Sequence, residues 1–191
     1  MNIYDQYPTQ AEANGRIYDL DLAYDKVLRA IDAEDIHELT PEDRLELQCA
    51  LLLKNGRDVP RATEERAALL KAIFDLFKRE SDEKPPTERY IDFHQDAALI
   101  RSAFFRMGVD LQRDRIHFCR FMELLADIPT DTALYRVIEI RQRPIPAPTK
   151  HNGKQIAELQ KAKARVAIKY SEEDRKRMFA ENLKTISALR G

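Results

Sequence analysis

Residues 90–146, YIDFHQDAALIRSAFFRMGVDLQRDRIHFCRFMELLADIPTDTALYRVIEIRQRPIP, decide the fold class of this chain. Apolar residues recur there at helical spacing in three consecutive blocks. Asp92 is placed to cap a fourth helix of the chain that turns Ala97, Ile100, Phe104 and Met107 inward. Gly108 ends it, where a residue of left-handed conformation usually closes a helix. Val109, Asp110 and Leu111 lead to a fifth helix over about Asp114–Asp127, with Phe118, Phe121, Leu124 and Leu125 on one face and Ile128 following. Pro129 breaks the pattern, Thr130 or Asp131 caps a sixth helix with Leu134, Val137, Ile138 and Arg141 on its inner side, and Pro144, Pro146 and Pro148 stop it.

The N-terminal half carries the same signature. With 191 residues, 43% hydrophobic and 34% charged, the chain has material for one core with an appendage, and five glycines with no tryptophan fit an α-rich protein. Asn14-Gly15 predicts a small hairpin over residues 10–19, since a type I′ turn needs positive φ at both central positions. A first helix follows over about Leu20–Glu34, with Leu20, Tyr24, Val27, Leu28 and Ile31 on one face. Thr40-Pro41-Glu42-Asp43 opens the second: a capping hydroxyl, a proline in the first turn and two acids facing the helix dipole. Its stripe is Leu45, Cys49, Leu52 and Leu53, and Asn55-Gly56 closes it. The third spans roughly Ala62–Glu80 with Leu69, Leu70, Ile73, Leu76 and Phe77 inward, before the polar linker Ser81–Thr87.

The expected architecture is therefore mainly α: residues 1–148 as a multi-helix domain with an N-terminal hairpin, and 149–191 as a basic amphipathic helical tail. The tail's thin stripe is Ile156, Leu159, Ala162 and Val166, and Ser171 with Asp174 forms a capping box for a last helix bearing Phe179, Leu183 and Ile186. Charge divides at the same place. Residues 1–140 hold 19 basic and 28 acidic side chains, a net of −9, and residues 141–191 hold 13 against 5, a net of +8. A basic tail on an acidic body suits an acidic partner, and suits equally a solvated helix face. No apolar run reaches the length of a membrane span, and the N-terminus lacks the basic and apolar regions of a signal peptide. Cys49 and Cys119 stand alone and read as reduced thiols, in keeping with a reducing cytoplasm.

The chemistry-bearing residues do not assemble into a catalytic or metal motif. His37, His94, His117 and His151 are far apart, and His94 and Asp96, two residues apart, leave a helix in different directions. Asp92 and Asp96 do share a face. One as a cap and the other as the partner of a backbone group or an arginine is the reading preferred over a carboxylate pair. Arg141 and Arg143 at a helix C-terminus are accounted for by its dipole. Phe104, Phe105, Phe118 and Phe121 read as core, since no lysines are interleaved as a base-stacking surface needs. No phosphate-binding glycine loop, nucleophile elbow or Cys-x-x-Cys occurs. The expectation is a protein without catalytic residues, cofactor or metal.

An ordered run of residues carries a family resemblance: Asp92-Phe93-x-Gln95-Asp96-Ala97 with Ile100, Gly108-Val109-Asp110-Leu111, His117-Phe118 with Phe121 and Leu124-Leu125, then Ile128-Pro129-x-Asp131-Thr132 and Ile140-Arg141. Asn14-Gly15-Arg16-Ile17-Tyr18 is similar in kind. Over roughly residues 8–148 the chain resembles the gene-product-fifteen family of long-tailed phages and prophages of Gram-positive bacteria, encoded in tail-gene clusters just upstream of the tape-measure protein. Where that family usually has tryptophan after the histidine, this chain has Phe118-Cys119. The resemblance implies a tail assembly protein of chaperone type in the host cytoplasm. Its implied partners are the tape-measure protein, a second assembly chaperone or the tail-tube protein, and further copies of itself, with no membrane and no nucleic acid. A structural part of the tail tip or connector is the alternative, and a nucleic-acid-binding regulator using the basic tail a more distant one. Asp92, Phe93, Asp96, Ile100, Gly108, Asp110, Leu111, His117, Phe121, Leu125, Pro129, Thr132 and Arg141 are the signature positions to locate in the structure.

Overall fold

The computed structural model describes residues 6–56, 58–78 and 89–169. Among these the fold is mainly α: strands β1 (Gln10–Ala13) and β2 (Arg16–Asp19), then helices α1 (Tyr24–Asp32), α2 (Pro41–Leu52), α3 (Thr63–Asp75), α4 (Ala97–Arg106), α5 (Phe118–Ala126), α6 (Ala133–Gln142) and α7 (Gly153–Val166), with a 3-10 turn at Ala33–Asp35. The polar linker 81–87, the end of the third helix at Glu80, Tyr170 and the last helix after Ser171 lie outside the described residues. No helix among the described residues is long and apolar enough to cross a membrane.

Two compact units share the chain, each built from two segments. The first takes residues 1–85 and 104–127, the second 86–103 and 128–191.

In the first unit, Asn14 (φ 52°) and Gly15 (φ 72°) close the β1–β2 hairpin with the left-handed pair its sequence predicts. Ala11, Ala13 and Tyr18 face the core, while Ile17 points outward. Leu20 does not begin a helix. The chain stays extended past β2, with Leu20 bridging Leu53 and the Asp21 N–H donating to the Leu52 carbonyl. The first helix therefore starts at Tyr24, and Ile31, expected inward, is 44% exposed. For the same reason α2 ends at Leu52, since Leu53 turns extended to meet Leu20. Its start is as read: the Thr40 hydroxyl accepts from the Asp43 N–H with Pro41 following. Val27, Cys49, Leu52, Leu69 and Ile73 are fully buried at the centre of the packed cluster. An aromatic row continues it: Phe77 against Phe118, and Tyr24 and Phe104 each against Phe121, all with ring centroids 5.0 Å apart. Phe104 and Phe121 alone remove enough apolar surface to contribute roughly 2–3 kcal/mol each. Phe105 is a correction: it is not core but 69% exposed, turned about 100° round the helix from the buried Phe104.

The fifth helix begins at Phe118, four residues later than expected. Asp114 is not its cap; its carboxylate turns back to the Asp110 N–H, while Asp110 accepts from Gln112, so residues 110–114 close as a turn.

In the second unit, Ile100, Ala103, Ile128 and Leu134 are buried. Neither Thr130 nor Asp131 caps the sixth helix. Thr132 does, accepting from the Tyr135 N–H while its hydroxyl donates to the Pro129 carbonyl. Residues 142–151 are exposed throughout, and α7 follows, packed along α6 and ending at Val166.

Candidate functional site

The signature residues fall into two polar junctions, one in each unit. In the second unit the centre is Arg141, near the end of α6. Its side chain is 7% exposed and forms a two-pronged ion pair with Asp96, itself 3% exposed: Nη1 to Oδ2 at 2.5 Å and Nη2 to Oδ1 at 2.9 Å. Nη1 also donates to the Tyr90 carbonyl at 2.8 Å, and Nε to the Val166 carbonyl at 2.6 Å. One guanidinium thus joins the chain before α4, the body of α6 and the end of α7. Burial by itself would raise the Asp96 carboxyl. Arg141's hydrogen bonds outweigh it, helped by the Asp92 backbone N–H and the charges of Arg141 and Arg89, and hold it below the ordinary carboxylate range.

Local chemistry places Asp96 for this role. Asp92 accepts from the His94 and Gln95 N–H groups, which shapes the turn leading into α4, and Asp96 accepts in return from the Asp92 N–H. Asp92 closes the turn ahead of α4, which starts only at Ala97, so it is not that helix's cap; Asp96 takes an arginine, as the spacing suggested. Arg141 is more than a residue matched to a helix dipole: it is buried, and the dipole reading is corrected to a structural ion pair. Phe93 is half-buried beside this turn, Ile100 is buried one turn into α4, and Pro129 and Thr132 form the α6 cap.

The first unit's junction is His117. Nδ1 accepts the Cys119 N–H at 3.1 Å, capping α5, so the proton resides on Nε2, which donates to the Pro8 carbonyl at 3.0 Å. Tyr7 stacks on the imidazole at 5.0 Å and donates through its hydroxyl to Glu123 at 2.6 Å. The histidine therefore pins the N-terminal segment to α5. Burial pushes its pKa below 6.5, while the Pro8 hydrogen bond and the Glu123 charge act in the other direction. Around it, Gly108 (φ 82°) ends α4, Asp110 forms the following turn, Leu111 is buried and accepts from the Tyr24 hydroxyl, and Phe121 and Leu125 lie inside.

Sequence reasoning missed Tyr7, Tyr24, Tyr90, Gln95 and Lys163. The Gln95 side-chain amide donates to the Ala167 carbonyl and accepts from the Lys169 N–H, and Lys163 donates to the Arg141 carbonyl. These links span 22 to 116 residues, and no periodicity signals them.

What these junctions do chemically is hold chain segments together. Their polar atoms are engaged in structural bonds, and no buried side-chain nitrogen or oxygen lacks a partner among the described residues. Among the same residues, no group of three His, Cys, Asp or Glu side chains could hold a metal ion. Neither cysteine forms a disulfide among the described residues, and burial raises Cys49 to about 11, unsuited to a thiolate nucleophile at neutral pH.

No curated protein and no solved structure matches the chain. A family model described as bacteriophage Gp15 protein matches residues 3–168, which takes in both junctions and every signature position. The chain belongs to the bacteriophage Gp15 protein family.

Proposed function

We propose that this phage protein serves tail assembly as a non-enzymatic chaperone, binding the tape-measure protein in the host cytoplasm before tail-tube subunits polymerise around it. The observation that carries the reading is the family match over residues 3–168, taken with the tail-cluster position that the signature resemblance implies. The surface supports it. Phe105, Ile17 and Ile31 in the first unit and Ile145 in the second are large apolar side chains left in solvent, where the apolar face of a partner helix can cover them. The Asp96–Arg141 and His117 junctions then act as scaffold, fixing the elements that present those side chains.

Co-expression with the tape-measure protein of the same gene cluster tests it. The expected result is a several-fold rise in soluble tape-measure protein and co-purification of the two. Unchanged yield with no co-purification would sink the reading.

A further inference from the structure

Helix α7 differs from its neighbours. Helices α1 to α6 each contribute at least one buried side chain, and α7 contributes none. Its apolar stripe, Ile156, Leu159, Ala162 and Val166, is only half-buried. Polar bonds near its C-terminal end hold it instead. Arg141 Nε donates to the Val166 carbonyl, and Lys163 Nζ donates to the Arg141 carbonyl at 2.6 Å. Each helix therefore supplies a cation to a carbonyl in the last turn of the other, where no intrahelical partner exists. Just beyond, the Gln95 amide holds the Ala167 carbonyl at 2.9 Å and the Lys169 N–H at 3.0 Å, as a neighbouring strand would. The connection from α6, residues 142–151, is exposed along its length and carries three prolines. Nothing buried ties that connection down.

We infer that α7 is a detachable strap on α6, fastened by Gln95, Arg141 and Lys163 and hinged on the exposed 142–151 connection. A helix without a buried residue opens at a fraction of the free energy that unfolds the rest of its unit, and here the fastening is concentrated at one end. The face it covers accepts an amphipathic helix with apolar residues at α7's spacing and a cation to meet the Arg141 carbonyl. The kind of partner that fits is therefore such a helix taking α7's place. The inference stands on α7's own packing and does not depend on the identity of the tape-measure partner.

Amide hydrogen exchange on the full chain tests it, comparing the natural protein with Gln95→Ala. Gln95 is exposed, so the substitution removes two fastening bonds and leaves the core intact. Amides of 153–166 are expected to exchange faster than those of α2, α3 and α6 in the natural protein, and roughly ten-fold faster again in Gln95→Ala, with α2 and α3 unchanged. A fluorescein-labelled peptide of residues 153–166, which ends short of the two groups Gln95 holds, is expected to bind Gln95→Ala several-fold more tightly than the natural protein, because the vacated face is populated more often. If 153–166 exchanges in step with α6 in the natural protein, or is unaffected by Gln95→Ala, the strap is overturned. A peptide that binds neither protein overturns α6 as a docking face.

Discussion

Arg141 carries four hydrogen bonds, one of them to a segment 51 residues earlier and one to a helix 25 residues later. Replacing it by alanine leaves the Asp96 carboxylate buried without its cation, and the expected cost is about 3–5 kcal/mol, read from the urea midpoint. Converting both partners to apolar residues of similar size is expected to cost much less, because no charge is then stranded. His117 sets a pH dependence of known sign. Its folded pKa lies below the ordinary 6.5, so its contribution is complete above pH 6.5. That contribution is lost as pH falls from there through the folded value. A His117→Asn variant keeps a side-chain cap for α5 and removes the titration, so its urea midpoint is expected to stay flat where the natural protein's declines. Asp96 adds a second acid step, since its depressed carboxyl loses its contribution only as pH falls below the ordinary carboxylate range. That one of Asp92 and Asp96 shapes the local turn and the other takes an arginine was legible, although α4 starts at Ala97 and Asp92 closes the turn before it rather than capping it. The identity of the arginine was not, because the pair is 45 residues apart.

At the scale of elements, helix starts announced by short-range chemistry were read well, and those set by distant strands were not. Thr40-Pro41, Asn14-Gly15 and Gly108 act where they stand. Leu20 fits a helical stripe equally well as an extended residue, and only its bridge to Leu53 decides between them. Asp114 has the look of a cap, yet the Asp110–Asp114 turn consumes it, and the Ala23–His117 bridge keeps the chain extended to residue 117. The two candidates read for the sixth helix, Thr130 and Asp131, both give way to Thr132, whose hydroxyl accepts from the Tyr135 N–H and also reaches the Pro129 carbonyl. Thr132→Ala is therefore expected to cost about 1 kcal/mol, and Gly108→Ala a similar amount through its positive φ, with Gly108→Asn milder, all measurable by thermal or urea unfolding.

At the scale of the molecule, the helical class and the N-terminal hairpin were legible from periodicity and turn chemistry. The interleaving of two units was not: each draws its second segment from beyond a stretch given to the other, and the passage from one to the other falls within α4, between Ala103 and Phe104. Apolar spacing reports which face of a helix is buried and carries no information on which partner buries it. A chaperone of the kind proposed above acts during assembly and leaves. Mass spectrometry of purified mature particles is therefore expected to find this chain absent or far below one copy per tail-tube ring. Stoichiometric amounts would make it a structural part instead.

The two-segment construction of the second unit has a consequence during translation. The ribosome delivers Asp96 well before Arg141. At about 5–20 residues per second, a gap of 45 residues leaves the carboxylate without its cation for roughly 2–9 s. Residues 89–103 must stay hydrated through that interval, and closure of the ion pair marks the moment the nascent unit can commit. Truncated chains ending at residue 140 and released from the ribosome are expected to be cut by protease around residues 89–96. Chains ending at residue 152 contain Arg141 and are expected to resist there, before α7 has been made.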